Sequence, residues 1–197
     1  MKTLFNKIAK NAILPLAVAS LPFISYSQKT EKTENGFKEY NEKGQEIIEV
    51  EYNGKTKIYQ EYKYDSLGNN TEKIRKFDYE NDEKFDDINQ RNFKYDAQRS
   101  VIEEIFKDGK DMKFDYFLQT NFKYDAQNKV TEEILKIDYE NDEKFDDSIK
   151  KIFKYDAKER LIAIISKLDK KNDGKFDRIE QLNYGYDLKG KIIPKNL

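Results

Sequence analysis

Apolar and polar residues alternate along most of the chain in a pattern that recurs at a nearly constant interval. The dipeptide Tyr-Asp marks the period, and an aromatic residue stands two positions before each tyrosine. The tyrosines are Tyr64, Tyr95, Tyr124, Tyr155 and Tyr186, and their spacing is constant except between Tyr95 and Tyr124, where it is shorter by two. A fixed period of this size indicates a repeat architecture, in which each small unit is stabilised by packing on its neighbours.

Two further positions keep the same phase. A phenylalanine followed by aspartate stands ten residues before the tyrosine, and an isoleucine stands ten residues after it. These are Phe85, Phe114, Phe145 and Phe176, and Ile74, Ile105, Ile134 and Ile165. Each unit therefore consists of an apolar segment, an acidic loop, a second apolar segment that ends in the aromatic pair, and a short polar link.

One interpretation of the unit is a helix-loop-helix. Val130, Ile134 and Ile137 are spaced at i, i+4 and i+7, which would place them on one face of a helix. The residues Leu161, Ile165 and Leu168 repeat this spacing in the next unit. This helical alternative stays open from the apolar spacing alone.

The other interpretation is a β-hairpin, and the one shortened unit favours it. In the strand interpretation Phe145, Ile149 and Phe153 share a face, and the turn falls at residues 141–144. The loop at 107–113 has lost two residues, yet the flanking aromatic residues keep their phase. Loss of two residues from a hairpin tip preserves the face of every side chain, because the strand period is two. We therefore predict an all-β fold of tandem antiparallel hairpins, forming a meander or solenoid-like sheet.

The repeats predict the domain boundaries. The hairpin domain is expected at 37–193, with a divergent first copy at 37–59 that caps the array. Residues 28–36 are expected to be a flexible polar leader, and 194–197 a short tail.

The N-terminal segment, 1–27, has the pattern of a secretory signal. Three lysines precede an apolar run from Ala12 to Ile24, and the small-x-small triplet ending at Ser27 predicts cleavage before Gln28. The run is shorter than the roughly 20 residues that a membrane-spanning helix needs. We expect a bacterial secreted or periplasmic protein with no transmembrane segment in the mature chain.

Composition excludes several classes of function. Without the segment 1–27 the chain has 34 basic and 38 acidic residues, a net charge of −4 with no basic excess for nucleic acid. It contains no cysteine and no histidine, which excludes thiol nucleophiles, Ser-His-Asp triads and the common zinc sites. Aromatic residues make up 14%, which is typical of a folded chain rather than a disordered one. The sequence therefore predicts that the protein is not an enzyme.

The segments 62–69 (YKYDSLGN) and 184–190 (YGYDLKG) resemble the YD repeat of the bacterial Rhs and teneurin group. The resemblance covers most of residues 37–193 and implies long strips of β-hairpins, which in that group often form a shell around a toxin. The links at 97–99, 126–128 and 157–159 depart from the family in lacking glycine. Because the segment 28–197 is too short to enclose a cargo and has no long toxin region, we expect only the architecture to carry over.

The acidic loops are the candidate site, as degenerate calcium loops of the EF-hand type. Residues 169–180 place Asp, Asp, Gly, Asp and Glu at motif positions 1, 5, 6, 9 and 12, and hard oxygen ligands suit Ca²⁺. The predicted ligands are Asp169, Asp173, Asp177 and Glu180; Asp138, Glu140, Asp142 and Asp146; and Asp78, Glu80, Asp82 and Asp86. The alternative is that the loops are solvated turns, since Asn, Asp and Gly are favoured in turns. No other cofactor is expected.

These observations favour an exported, non-catalytic structural or binding module, stabilised by calcium, whose partner is a protein or a glycan. One alternative is a periplasmic inhibitor or immunity-type partner protein. Another is a glycan hydrolase that uses paired carboxylates. The acids recur with the scaffold, whereas a catalytic pair is normally unique and lies in a cleft, and this disfavours the hydrolase.

Overall fold

The computed structural model describes residues 29–187 and 189–194, and this part of the chain is all-β with no helix. The prediction of antiparallel hairpins is confirmed, and the helical alternative is wrong. The predicted signal at 1–27 and the last three residues of the predicted tail lie outside the described residues.

Thirteen strands are present in the described residues. They are β1 (Lys29–Thr33), β2 (Gly36–Tyr40), β3 (Glu46–Asn53), β4 (Thr56–Tyr64), β5 (Asn70–Asp78), β6 (Asp87–Tyr95), β7 (Val101–Lys110), β8 (Lys113–Tyr124), β9 (Val130–Asp138), β10 (Asp147–Tyr155), β11 (Leu161–Lys170), β12 (Arg178–Tyr186) and β13 (Ile192–Pro194). Strands occur in the sheet in the same order as in the chain, and neighbours are antiparallel. The fold is therefore a simple meander.

The sheet is a single open layer. Within the described residues each strand contacts only its neighbours in the chain, apart from a small contact between β6 and β8. Few side chains are buried as a result, and the apolar core consists of Ile47, Val50, Ile88 and Ala163. Stability must then come mainly from cross-strand pairs between adjacent hairpins, as in other repeat proteins.

The two faces of the sheet differ in composition, and we name them by what recurs on them. The lysine face carries Lys76, Lys107, Lys136 and Lys167, with the in-phase isoleucines two residues before each. The aromatic face carries the aromatic residue of each link, such as Phe122 and Phe153. Ile134 lies on the lysine face and Ile137 on the aromatic face, because side chains alternate along a strand. The helix-like spacing of these isoleucines therefore spans two surfaces.

Each Tyr-Asp link turns the chain from one hairpin to the next. The register shifts at the tyrosine, as between Lys123 and Tyr124, which marks a β-bulge. The following aspartate caps the turn: Asp125 Oδ1 accepts the backbone N–H groups of Gln127 and Lys129, each at 2.9 Å. The same bonds recur at Asp65, Asp96, Asp156 and Asp187, and at Asn41 in the divergent first copy. This regular capping explains why aspartate follows the tyrosine.

The shortened unit forms a tight hairpin between β7 and β8. Asp111 and Met112 both have positive φ, 47° and 61°, as a two-residue hairpin turn requires. A bulge lies beside this turn at Gly109, and a Cβ there would lie 1.8 Å from the carbonyl oxygen of Lys113. Only glycine fits this close approach.

The N-terminal segment of the described chain differs from the expected flexible leader. Residues Lys29–Thr33 form β1, which pairs with β2 although its five side chains are exposed. Backbone hydrogen bonds to β2 do not depend on apolar side chains, so the polar composition did not reveal this strand.

The position of Phe145 also differs from the strand interpretation. It lies in the loop before β10, and its ring packs on Phe117 of the lysine face. Ile149 and Phe153 lie on the other side of the sheet, on the aromatic face. The chain is not extended at this position, so strict alternation of side chains does not reach Phe145.

Candidate functional site

The predicted calcium loops connect β5 to β6, β9 to β10 and β11 to β12, at residues 79–86, 139–146 and 171–177. The first aspartate of each motif lies at the end of the preceding strand and is buried. These residues are Asp78, Asp138 and Asp169. A buried carboxylate must be offset by hydrogen bonds or by a cation, so its partners decide what it does.

Backbone N–H groups of the loop are those partners. Asp138 Oδ1 accepts the N–H groups of Glu140 and Asp142, each at 3.2 Å, and Oδ2 accepts that of Glu143 at 2.9 Å. Asp78 accepts N–H groups from Asp82 and Glu83, and Asp169 accepts them from Asp173 and Gly174. The buried carboxylate thereby satisfies donors that the tight loop leaves without strand partners.

The aspartates at motif positions 5 and 9 also bind the backbone. Asp142 Oδ1 accepts the N–H of Lys144 at 3.0 Å, and the ammonium of Lys144 lowers the pKa of the Asp142 carboxyl. Asp146 Oδ2 accepts the N–H of Tyr139 at 2.9 Å, which closes the base of the loop. Asp82 and Asp86, and Asp173 and Asp177, make the same contacts in their loops.

Two of the remaining predicted ligands, Glu80 and Glu180, pair with basic side chains. Glu80 lies 3.9 Å from the Nζ of Lys55, and Glu180 forms an ion pair with Arg178 of β12. Across residues 29–187 and 189–194, no group of three or more Asp, Glu, His or Cys side chains is arranged to hold a metal ion. Calcium binding at these loops stays a prediction, and ligation would require the carboxylates to exchange some backbone partners for the ion.

The residue at motif position 6 adopts a left-handed backbone in all three loops. Glu83 and Glu143 have φ of 71° and 70°, and Gly174 has φ of 87°. The three loops therefore share a left-handed backbone at this position, and only the last one has the residue that adopts it without strain. The last loop differs at motif position 3, where Lys171 also has positive φ, 76°.

A column of lysine–phenylalanine pairs on the lysine face was not anticipated from the sequence. Each lysine stands twelve residues after a link tyrosine, and its Nζ lies over the in-phase phenylalanine of the following loop or strand. The pairs are Lys76–Phe85, Lys107–Phe114, Lys136–Phe145 and Lys167–Phe176, with Nζ 5.0 to 5.6 Å from the ring centroid. The sequence does contain a sign of these pairs, because the lysines recur at the same interval as the phenylalanines. Three of these cation–π pairs attach an acidic loop to the sheet, and the pair of Lys107 and Phe114 joins β7 to β8.

A second column on the same face consists of glutamates bonded to both neighbouring strands. Glu103 Oε1 lies 2.6 Å from the Nζ of Lys94, and Oε2 accepts hydrogen bonds from Gln119 and Asn121. The Lys94 ammonium, followed by these amides, lowers the pKa of the Glu103 carboxyl. Glu72 pairs likewise with Lys63, and Glu132 with Lys123 and Lys150. The lysine face is thus internally paired.

The fourth unit breaks this column. Ala163 stands where the other units have glutamate, opposite Lys154 and Asn183. The Nδ2 of Asn183 is buried without a hydrogen-bond partner in the described part of the chain, whereas Asn92 and Asn121 donate to their glutamates.

The aromatic face presents an apolar patch at the middle of the sheet. One row of cross-strand neighbours is Phe106, Leu118 and Ile137, and the next row is Leu135, Ile149 and Leu168. We call these six residues the apolar patch. They are partly exposed, because no second layer covers this face among the described residues. Ion pairs between Arg91 and Glu104 and between Lys151 and Glu133 border the patch.

The surface also has a shallow, open depression of about 470 Å³ beside the link at Tyr124. Asp96, Tyr124 and Asp125 line it together with Ile102 and Phe122. The tyrosine hydroxyl and both carboxylates are bonded to backbone groups of the scaffold.

No protein-family model matches the chain, and no curated protein matches it. Membership of the YD-repeat group thus stays a prediction that rests on residues 62–69 and 184–190. No helix in the part of the chain that the structure describes is long and apolar enough to cross a membrane.

Proposed function

We propose that the protein is an exported, non-catalytic repeat module that binds a protein partner through the apolar patch of its aromatic face. The observation that carries this proposal is the asymmetry between the two faces. On the lysine face both charged columns have partners, since the lysines lie over phenylalanine rings and the glutamates pair with other lysines and with amides. The aromatic face instead leaves six apolar side chains partly exposed in two adjacent rows. Contiguous exposed apolar surface with a charged border is typical of interaction sites.

The composition of the patch favours a protein over a glycan. Five of its six side chains are aliphatic, and aliphatic groups provide neither the flat ring on which a sugar stacks nor hydrogen bonds for its hydroxyls. A flat surface of this kind suits the side chains of another folded protein. The bordering Arg91–Glu104 and Lys151–Glu133 pairs would then lie at the rim, where they affect orientation more than affinity.

Neighbouring residues on one strand provide a matched test. Leu118 lies on the aromatic face, and Gln119 lies on the lysine face one residue later. A photo-crosslinking residue at Leu118 should capture a discrete protein from the native envelope or medium, and the same probe at Gln119 should not. Leu135→Lys, on the aromatic face, should abolish capture from position 118, and far-UV circular dichroism at the capture temperature verifies that the variant stays folded.

Equal capture from both positions, or capture from position 119 alone, would contradict the proposal. Binding of the purified protein to immobilised polysaccharides tests the glycan alternative. Strong retention on a polysaccharide, together with no crosslinked protein, would show that the partner is a glycan and not a protein. An inhibitor or immunity-type role is a narrower form of the same proposal. It predicts that the crosslinked partner is an enzyme whose activity falls on binding.

A further inference from the structure

The outer edge of β12 is open over most of its length. One side of the strand pairs with β11 through Arg178–Asn183, whereas the other side pairs with β13 only at Tyr184–Tyr186. Within residues 29–187 and 189–194, the backbone groups of 178–183 on this outer side have no strand partner. Such an edge is a template for pairing with another strand.

Apolar side chains accompany this open edge. Ile179 and Leu182 are 59% and 60% exposed. In the unit formed by β5 and β6, Ile88 occupies the position of Ile179 and is 6% exposed, because β7 covers it through Gly109. The comparison indicates that a further strand beside β12 would bury Ile179 in the same way.

The charges of the edge are complementary to themselves. Arg178 and Glu180 lie on the aromatic face on either side of Ile179 and form an ion pair with each other along the strand. Opposite them on β11 stand Leu168 and Ser166, which offer no charge. If two copies of β12 pair antiparallel with Ile179 opposite its own equivalent, each Arg178 stands opposite Glu180 of the second copy. Two ion pairs then flank an isoleucine pair. Shifting the alignment by one residue on each strand places Glu180 opposite Glu180, where like charges repel.

We propose that two copies of this chain associate through their β12 edges, antiparallel, with the two-fold axis at Ile179. In this register the strand pairing covers residues 178–180 of each copy, because β12 begins at Arg178. The two meanders then join edge to edge, and the isologous contact closes after two subunits. The opposite edge strand, β1, presents Lys29, Glu31 and Lys32 and no apolar side chain, a composition typical of edges that resist pairing. This contrast favours joining of two β12 edges over head-to-tail assembly.

Sedimentation equilibrium over a range of concentrations tests the proposal. The purified protein should show a monomer–dimer equilibrium and no larger species. Ile179→Lys should weaken dimerisation by about tenfold or more, because two lysines would meet at the axis. Ile102→Lys changes another exposed isoleucine, on β7 within the array, and should leave the equilibrium unchanged. Far-UV circular dichroism and the melting temperature of each variant verify that the monomer stays folded.

Charge reversal distinguishes this register from others. Arg178→Glu alone and Glu180→Arg alone each place like charges opposite one another and should weaken the dimer. The double variant R178E/E180R restores both pairs and should dimerise like the parent. A monomer at every concentration, single variants that dimerise normally, or a double variant weaker than either single one would overturn the proposal. Growth of mass beyond two copies would indicate head-to-tail assembly instead.

Discussion

The hydroxyl of Tyr124 donates a hydrogen bond to the backbone carbonyl of Val101 at 2.7 Å, joining the end of β8 to the beginning of β7. The bond recurs at every link. Tyr64 bonds Glu46, Tyr95 bonds Asn70, Tyr155 bonds Val130 and Tyr186 bonds Leu161, at 2.7 to 2.8 Å. The tyrosine of each Tyr-Asp pair therefore joins the two strands of its own hairpin at the open end, and the aspartate caps the turn that leads to the next hairpin.

Removing one of these hydroxyls should destabilise the protein. We expect Tyr124→Phe to lower the free energy of unfolding by about 1 kcal/mol, because the Val101 carbonyl loses its side-chain donor. Urea denaturation measures the change. Tyr139→Phe is the control: its hydroxyl bonds Asp147 from an exposed position and should cost less than about 0.5 kcal/mol. Equal decreases in the free energy of unfolding of the two variants would show that the Tyr124–Val101 hydrogen bond contributes no more stability than an exposed one.

The link tyrosines should also make the fold sensitive to alkali. Burial is the main cause that raises the pKa of Tyr95, Tyr124 and Tyr155 above the ordinary 10.0. Because the folded pKa exceeds the unfolded one, this stabilisation is complete below pH 10 and is lost as the pH rises through the folded pKa. The difference in unfolding free energy between the parent and Tyr124→Phe should therefore shrink above pH 10. If the difference in unfolding free energy stays constant above pH 10, the Tyr124 hydroxyl does not act as a buried hydrogen-bond donor.

Arg99 occupies a position that glycine fills in other links. Its φ is 67°, in the left-handed region, where Gly68 in the corresponding link has φ of 88°. We expect Arg99→Gly to raise stability by roughly 1 kcal/mol, since relief of the left-handed strain exceeds the added entropy of the unfolded chain. Asn128→Gly should gain less, because asparagine tolerates this conformation and its Oδ1 accepts the Ser100 hydroxyl. Thermal melts of the two variants compare them, and a lower melting temperature for Arg99→Gly would refute the strain argument.

Completing the glutamate column should stabilise the C-terminal unit. Ala163→Glu places a carboxylate opposite Lys154 and beside the unpartnered Nδ2 of Asn183, as Glu103 lies beside Lys94 and Asn121. The expected gain is about 0.5 kcal/mol, since Lys154 is exposed and solvent screens the pair. Ala163→Gln keeps the size without the charge and should gain less. In a Lys154→Ala background the advantage of glutamate over glutamine should fall, and its persistence there would exclude the ion pair as its cause.

The role of the acidic loops can be separated from calcium binding. Asp138→Asn should lower the free energy of unfolding by about 2 kcal/mol in the presence of a chelator, because a buried charged acceptor of three N–H groups is weakened. Asp111→Asn, in the tip of the shortened unit, is the exposed control. If Asp138→Asn lowers the free energy of unfolding only when millimolar calcium is added, the Asp138 carboxylate binds the ion instead. A calcium titration that leaves the melting temperature of the parent unchanged would end the calcium prediction.

The hairpin architecture was accessible from the sequence because a strand and a helix respond differently to the loss of two residues. The unit between Tyr95 and Tyr124 is two residues short, and its strands keep the faces of the longer units. The acidic loops were located correctly as connections between strands. Sequence spacing suggested that their acids converge on an ion, but it does not specify hydrogen-bond partners. In the folded chain Asp138 and Asp146 bind backbone N–H groups of their own loop.

The sequence by itself determined the period, the strand character and, within each strand, the alternation of faces, because side chains alternate along a strand. Only the tertiary structure decided that the sheet is a single layer, that Phe145 packs on the lysine face, and that the open edge of β12 exposes Ile179. The reason is that alternation is a local property of the backbone. What covers a face or an edge depends on how distant segments pack, and a repeated sequence contains little information about where that packing stops.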